Sequence, residues 1–301
     1  MNTGAEGVET AIKLARKWGY LKKGIPENRA IVLSCSGNFH GRTIAVISMS
    51  TEDEARNGFG PFLPGVGAVC AGSPERVIEY NNVASLEAAL KAHGDMVAGF
   101  LVEPVQGEAG VVVPDDGYLR ACYDLCRKHN VLFIADEIQS GLGRTGRMLA
   151  CEHDGVRPDV LILGKALSGG VFPVSAVLAD RDIMLCIQPG EHGSTFGGNP
   201  VACAAATAAL QVLRDEKLCE RSAEMGEYFR DKLRALGSKH ITEIRGRGLM
   251  NAIVINGLPE GQTAFDVCVR MAQLGVLAKP THGNIIRLTP PLCIDKDDID
   301  R

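Results

Sequence analysis

Apolar residues recur along this chain in two rhythms. Over residues 5–18, Val8, Ala11, Ile12, Ala15 and Trp18 fall at helical spacing, which predicts one helix with an apolar face. Thr3 and Gly4 precede it, where a cap belongs. A second amphipathic helix is predicted over 117–129, with Leu119, Tyr123 and Cys126 inward. Short continuous apolar runs lie at 31–35, 97–105, 131–135, 160–163 and 174–178. Runs that do not alternate predict strands covered on both faces. Helices and strands alternate, so the pattern predicts an α/β doubly wound architecture, a mostly parallel central sheet flanked by helices. Two long helices are predicted over 200–214 and 217–236. Beyond about residue 240, predicted strands at 241–255 and 285–290 surround a helix at 262–274, part of a smaller α/β unit. The expected division is a large domain over 1–236 and part of a small C-terminal domain over 237–301. The chain opens on a helix start with no strand before it and closes at Asp295 on a cap and one turn. It therefore reads as the middle and late part of a longer protein.

Composition narrows the class. The 301 residues are 46% apolar and 23% charged, as in ordinary folded proteins rather than disordered ones. The net charge of −4 leaves no basic excess to meet nucleic acid or an anionic membrane surface. No apolar run approaches the ~18 residues of a membrane helix, and the mixed charge of the first twenty residues does not read as a secretory signal. The ten cysteines form no CxxC pair. They read as reduced, small apolar residues of an intracellular protein rather than a disulfide framework, and no metal site is expected.

Several residues then carry candidate chemistry. Lys165 follows the apolar run at 160–163 and precedes Ala166-Leu167-Ser168-Gly169-Gly170. Partial desolvation there would lower its pKa and make it a Schiff-base nucleophile; a lysine snorkelling to solvent is the alternative. Asp136 ends another apolar run, and a carboxylate there needs a partner. A pyridinium nitrogen is one, a helix cap or a magnesium ion another; Gln139 could bond a ring hydroxyl. Gly4 and Ala5 open a helix whose free amides suit a phosphate, or merely follow a cap. The segment His192-Gly-Ser-Thr195-Phe-Gly-Gly-Asn-Pro200 precedes a helix in the same way. Arg42 and Arg287 are lone arginines among apolar or glycine residues, suited to carboxylates or to covering apolar surface. Phe39 could stack on a planar ring or belong to the core. Glu108 could pair with an arginine or stand as a solvated loop acid.

The motifs run in the order MNTGAEGVETAIKLARKWGY, NFHGRT, EPVQGEAGVVVPDDGYL, LFIADEIQSGLGRTGR, LGKALSGGVFPVSAV, GEHGSTFGGNP, RGRGLMNAI and KPTHGNIIRLTPPL. From Met1 to Arg301 the sequence resembles the subgroup-III, fold-type-I pyridoxal-phosphate aminotransferases. MNTGAE, GEHGST and KPTHG incline it to the ornithine branch rather than the acetylornithine or 4-aminobutyrate branches. The resemblance implies a fold-type-I transferase that moves ornithine's δ-amino group to 2-oxoglutarate, in proline and arginine metabolism. Its cofactor is pyridoxal 5'-phosphate and its substrates are small amino and 2-oxo acids. Lys165 would carry the cofactor as a Schiff base and Asp136 would hold the pyridine nitrogen. Gln139 would approach the ring hydroxyl, Phe39 would stack on the ring, and Gly4 and Ala5 would hold the phosphate. Thr195 would reach the phosphate of a neighbouring subunit's cofactor, which implies a homodimer. Arg42 and Arg287 would take substrate carboxylates, with Glu108 screening Arg287 when the amino donor has no second one. His40 receives no role. Relatives carry a segment before the equivalent of Met1, with pocket aromatics and any targeting signal, and a further terminal helix. Mitochondrial matrix and cytoplasm are therefore both compatible, and a truncated, non-catalytic chain is the rival reading from another class.

Overall fold

The computed structural model describes residues 1–68 and 77–301. Contacts divide it into two units. The first comprises Met1–Pro104, Pro114–Gln139 and Cys151–Ala209; the second comprises Val105–Val113, Ser140–Ala150 and Leu210–Arg301.

The first unit is built on a six-stranded sheet. Its strands are β1 (Ile31–Leu33), β2 (Val66–Gly67), β3 (Val97–Val102), β4 (Leu132–Asp136), β5 (Val160–Leu163) and β6 (Ala176–Ala179), in the order β2-β1-β3-β4-β5-β6. The first five run parallel; β6 pairs antiparallel with β5. This is the mostly parallel, helix-flanked sheet the apolar runs predict. Residue parity explains why those runs do not alternate. In β4, Leu132 and Ile134 pack against the helix Gly4–Trp18 side, whereas Phe133 and Ala135 face the helix Tyr118–Lys128 side. Phe133 meets Phe100 of β3 and Tyr123 of that second helix edge-on, at 6.2 and 5.8 Å between ring centroids. The helix Gly4–Trp18 lies close on the sheet: a Cβ at Gly7 would stand 3.0 Å from Ile162.

Some boundaries differ from expectation. The run at 97–105 leaves the sheet after Val102, ahead of Pro104, which has no N–H for a ladder. The run at 31–35 ends as a strand at Leu33. The run at 174–178 shifts to Ala176–Ala179 and forms a half-covered edge rather than a buried strand. The helix Val83–His93, capped by the Asn82 side chain on the Ser85 amide, carries no strong apolar rhythm and was not predicted. The nine described cysteines are free thiols, six of them buried.

The second unit holds a four-stranded antiparallel sheet of β7 (Ile241–Arg247), β8 (Met250–Ile255), β9 (Lys279–Thr281) and β10 (Ile285–Leu288), ordered β7-β8-β10-β9. The single run expected at 241–255 is thus a hairpin, folded back through Gly248 in the left-handed region. The helix Leu218–Ala235 belongs with this sheet, so the contact division does not fall at 236/237. Its Gly226 passes so close to Gly248 that any Cβ would collide with that backbone. Its buried Arg230 donates to the Gly248 carbonyl at 2.9 Å and to Asn251 Oδ1 at 2.7 Å. The final turn is as predicted, with the Asp295 side chain accepting from the Asp298 amide at 2.9 Å. No helix among the described residues is long and apolar enough to cross a membrane.

Candidate cofactor site

Parallel strands point their carboxyl ends one way, and loops from those ends form ligand sites. Four such ends supply one pocket in the first unit. The segment after β1 brings Phe39, His40 and Gly41, β3 leads into Glu103, β4 ends on Asp136 with Ile138 and Gln139 beyond, and β5 leads into Lys165. Gly4 and Ala5 complete the lining. The pocket therefore gathers Lys165, Asp136, Gln139, Phe39, Gly4 and Ala5. Arg42 and Thr195 do not line it.

The helix start carries a capping box. Thr3 Oγ1 accepts from the Glu6 amide at 3.2 Å, and the Glu6 carboxylate accepts from the Thr3 amide at 2.6 Å. The Thr3 amide bond, ahead of the opposing effect of burial, holds the Glu6 pKa below its ordinary value. This capping box uses the third helical amide. The amides of Gly4 and Ala5, first and second in the helix, have no intrahelical acceptor by geometry. They border the pocket, at the positive end of the helix dipole. The backbone here is tightly cradled. A Cβ on Gly4 would stand 2.8 Å from Ile138 Cδ1, and one on Gly41, at φ +131°, would stand 2.8 Å from Ala5 Cβ.

Asp136 is 4% exposed and pairs with His40, itself 3% exposed, through Nδ1···Oδ2 at 2.7 Å. Oδ1 accepts from the Ile138 amide at 3.1 Å. Each carboxylate oxygen has a second lone pair, so Asp136 can accept from a further donor. His40 Nε2 is buried and has no hydrogen-bond partner among the described residues. Burial pushes the His40 pKa down, but the bond to Asp136 and the charges of Asp136 and Glu103 outweigh it and raise the value. Glu103, also buried, accepts from the Phe39 amide at 2.9 Å and so fixes the ring beside the pocket. Arg42 is exposed and lies over that ring, 5.3 Å from its centroid.

Lys165 departs from expectation in one respect. It is exposed, so burial in this chain does not desolvate it. Its backbone instead sits at φ +44°, an uncommon conformation for a side chain to occupy. Such strain persists where surrounding structure imposes it, often at functional sites. Thr195 is also exposed. Its segment is tied to the first helix, where His192 Nε2 meets Thr10 Oγ1 at 2.8 Å and Nδ1 meets Lys13 Nζ at 2.9 Å.

Glu108 and Arg287 lie in the second unit and pair there. The carboxylate takes a fork of bonds, Nη1 to Oε1 at 3.0 Å and Nη2 to Oε2 at 3.2 Å. Lys279 adds a third bond, to Oε2 at 2.8 Å. Burial raises the Glu108 pKa, but the Lys279 bond and the Arg287 and Lys279 charges prevail and hold it below the usual range. Two residues escaped the sequence reading. His40 lies in a recognisable motif but gains meaning only through its contact with Asp136. Lys279 stands in the KPTHG motif, and no role follows from that motif for the lysine itself.

A model of the class-III aminotransferases matches residues 1–301, the whole chain. The chain belongs to that family. Among relatives, the ornithine aminotransferase of Schizosaccharomyces pombe is 59% identical over 99% of this chain and 68% of its own length. Among solved structures, the ornithine aminotransferase of Toxoplasma gondii ME49 aligns with a TM-score of 0.92 at 49% identity, over 100% of this chain and 69% of that one. The acetylornithine aminotransferase of Elizabethkingia anophelis aligns at 0.86 and 54% identity, over 99% and 71%. The chain spans about two thirds of the length of the curated relatives it matches, several of them named as mitochondrial. Class-III aminotransferases use pyridoxal phosphate, and this pocket fits it. Two residues of the helix's first turn, whose amides have no intrahelical acceptor, border the pocket, a buried carboxylate with a free lone pair suits the ring nitrogen, and a lysine stands just beyond β5.

Proposed function

We propose that this chain carries out pyridoxal-phosphate-dependent transfer of ornithine's δ-amino group to 2-oxoglutarate. The products are glutamate and glutamate semialdehyde, which cyclises to pyrroline-5-carboxylate. The forked Glu108–Arg287 pair carries this reading. Transamination alternates two substrates at one site, and ornithine lacks the second carboxylate that 2-oxoglutarate has. A guanidinium that can be covered or freed by a neighbouring glutamate suits that alternation. The relatives named for ornithine support the choice of donor.

When bound, the cofactor supplies an electron sink for charge developing on the substrate carbon. The chain's own residues do the rest. Lys165 holds the cofactor and its Nζ takes the proton from ornithine's δ-carbon. Asp136, steadied by His40, keeps a proton on the ring nitrogen. Gly4 and Ala5 hold the phosphate through their amides, Phe39 covers the ring, and Gln139 bonds the ring hydroxyl. Arg42 takes one substrate carboxylate and Arg287 the other. Thr195 contacts the phosphate bound by a second copy, making the working unit a homodimer. The compartment is intracellular, matrix or cytoplasm.

Acetylornithine is the second reading, since the Elizabethkingia anophelis structure is as near in sequence as the ornithine enzymes. Chain loaded with pyridoxal phosphate should show a visible absorbance band that bleaches with ornithine, and more slowly with N-acetylornithine or 4-aminobutyrate. Faster bleaching by N-acetylornithine would transfer the assignment. No band from folded protein would remove it.

A further inference from the structure

We infer that Lys279 is a positioning residue that draws Glu108 off Arg287 when a dicarboxylate acceptor binds, and so biases the site toward 2-oxoglutarate. This rests on the reading above. Lys279 and Arg287 face each other across the β9–β10 ladder, so two cations stand side by side with one carboxylate between them. Directly opposed like charges repel on a sheet, and Glu108 relieves that repulsion.

The two cations differ in freedom. The Arg287 side chain is 11% exposed, whereas the Lys279 side chain is 62% exposed on a flexible stem. They also share an atom. Oε2 of Glu108 receives Lys279 at 2.8 Å and Arg287 Nη2 at 3.2 Å. The backbone under Glu108 is meanwhile fixed. Thr281 Oγ1 donates to the Glu108 carbonyl at 3.1 Å, and Arg245 donates twice to the Gly110 carbonyl, at 3.0 and 2.9 Å. Gln106 and Val112 close the loop with paired backbone bonds. Glu108 therefore leaves Arg287 by rotating its side chain, not by moving its loop.

A bare carboxylate swinging away would lose both arginine bonds and gain only water. One already bonded to Lys279 keeps a charge-assisted bond throughout. Arg287 is then free for the carboxylate beside the acceptor's keto carbon, the one that ornithine's δ-carbon lacks, and the lysine charge stays neutralised. Without Lys279, opening costs more, while the closed pair needed for ornithine is intact.

The test compares Lys279→Met, Lys279→Arg and Glu108→Gln, singly and with Lys279→Met combined with Glu108→Gln, in protein loaded with pyridoxal phosphate. Single-turnover rates are measured for ornithine and for 2-oxoglutarate, and calorimetry follows binding of glutarate, an unreactive dicarboxylate. Lys279→Met should shift the ratio of the two half-reactions about fivefold against 2-oxoglutarate and weaken glutarate by a similar factor, the scale of a partly exposed ion pair. Lys279→Arg should restore both. In the Glu108→Gln background, Lys279→Met should change neither. An undiminished effect in that background would mean that Lys279 binds the acid directly, and equal losses in both half-reactions would mean a merely structural role; either overturns the inference. If wild-type protein fails with ornithine, the functional reading falls instead.

Discussion

The His40–Asp136 contact of the first unit and the Glu108–Arg287 contact of the second are both short acid–base pairs, yet they behave as opposites. His40 and Asp136 are almost wholly buried and each has one fixed partner in the other. Glu108 is about one quarter exposed at its side chain and has two cations to choose between. Removing one member of a buried pair strands the other in a poor dielectric, at about 3–5 kcal/mol. Exchanging partners at a partly exposed carboxylate costs about 1 kcal/mol or less. The first arrangement suits a charge that must stay put through a reaction. The second suits one that must move between substrates.

The largest effect should come from Lys165→Ala, which should abolish multiple turnover in the loaded protein. Retained turnover would dismiss the lysine's role, and with it the catalytic half of the contrast. Asp136→Asn should come next, lowering turnover about 10²–10³-fold, the usual scale for losing a preorganised electrostatic partner. A fall of under tenfold would mean that the buried pair is structural. Arg287→Ala should then slow the 2-oxoglutarate half-reaction well beyond the ornithine one; equal slowing would deny the exchangeable pair its function.

The pH dependence of stability separates the pairs more finely. The His40 pKa is raised above its ordinary 6.5, so protonated His40 stabilises the fold fully below that pH. That contribution disappears as pH rises through the elevated native value. Thermal unfolding of cofactor-free chain should show the loss in wild type and not in His40→Gln. Glu108, lowered from 4.5, acts in the other direction: its stabilisation is present above 4.5 and lost as pH falls through the depressed native value. Glu108→Gln should flatten that acid limb. The smallest effect is expected from Gly4→Ala. Its new Cβ would stand 2.8, 3.1 and 3.5 Å from Cδ1, Cγ2 and Cγ1 of Ile138, side-chain atoms that must shift to admit it. Cofactor affinity should fall slightly, and loss of folding would show the cradle to be stiffer than its contacts indicate.

Sequence alone determined the parts of this protein that depend on local pattern. Continuous apolar runs marked the parallel strands because each strand end must be covered on two faces, as the split between Phe133 and Ile134 shows. Thr3 and Gly4 marked the start of the first helix, which the structure closes with a Thr3–Glu6 capping box. Asp136 and Lys165 were legible because both close apolar strands, where a charge needs a reason. What lay beyond local pattern was decided by the tertiary structure. His40 is distant in sequence from Asp136, and only the parallel order β1-β3-β4 brings the loops of those strands together. Lys279 faces Arg287 only through the β9–β10 register, and Glu108 joins them from 171 residues before Lys279. Lys165 was expected to be desolvated by its apolar neighbours, but its exposure depends on which distant segments cover it. Pairing across such separations is set by which surfaces the core brings together, and no short window of sequence contains that information.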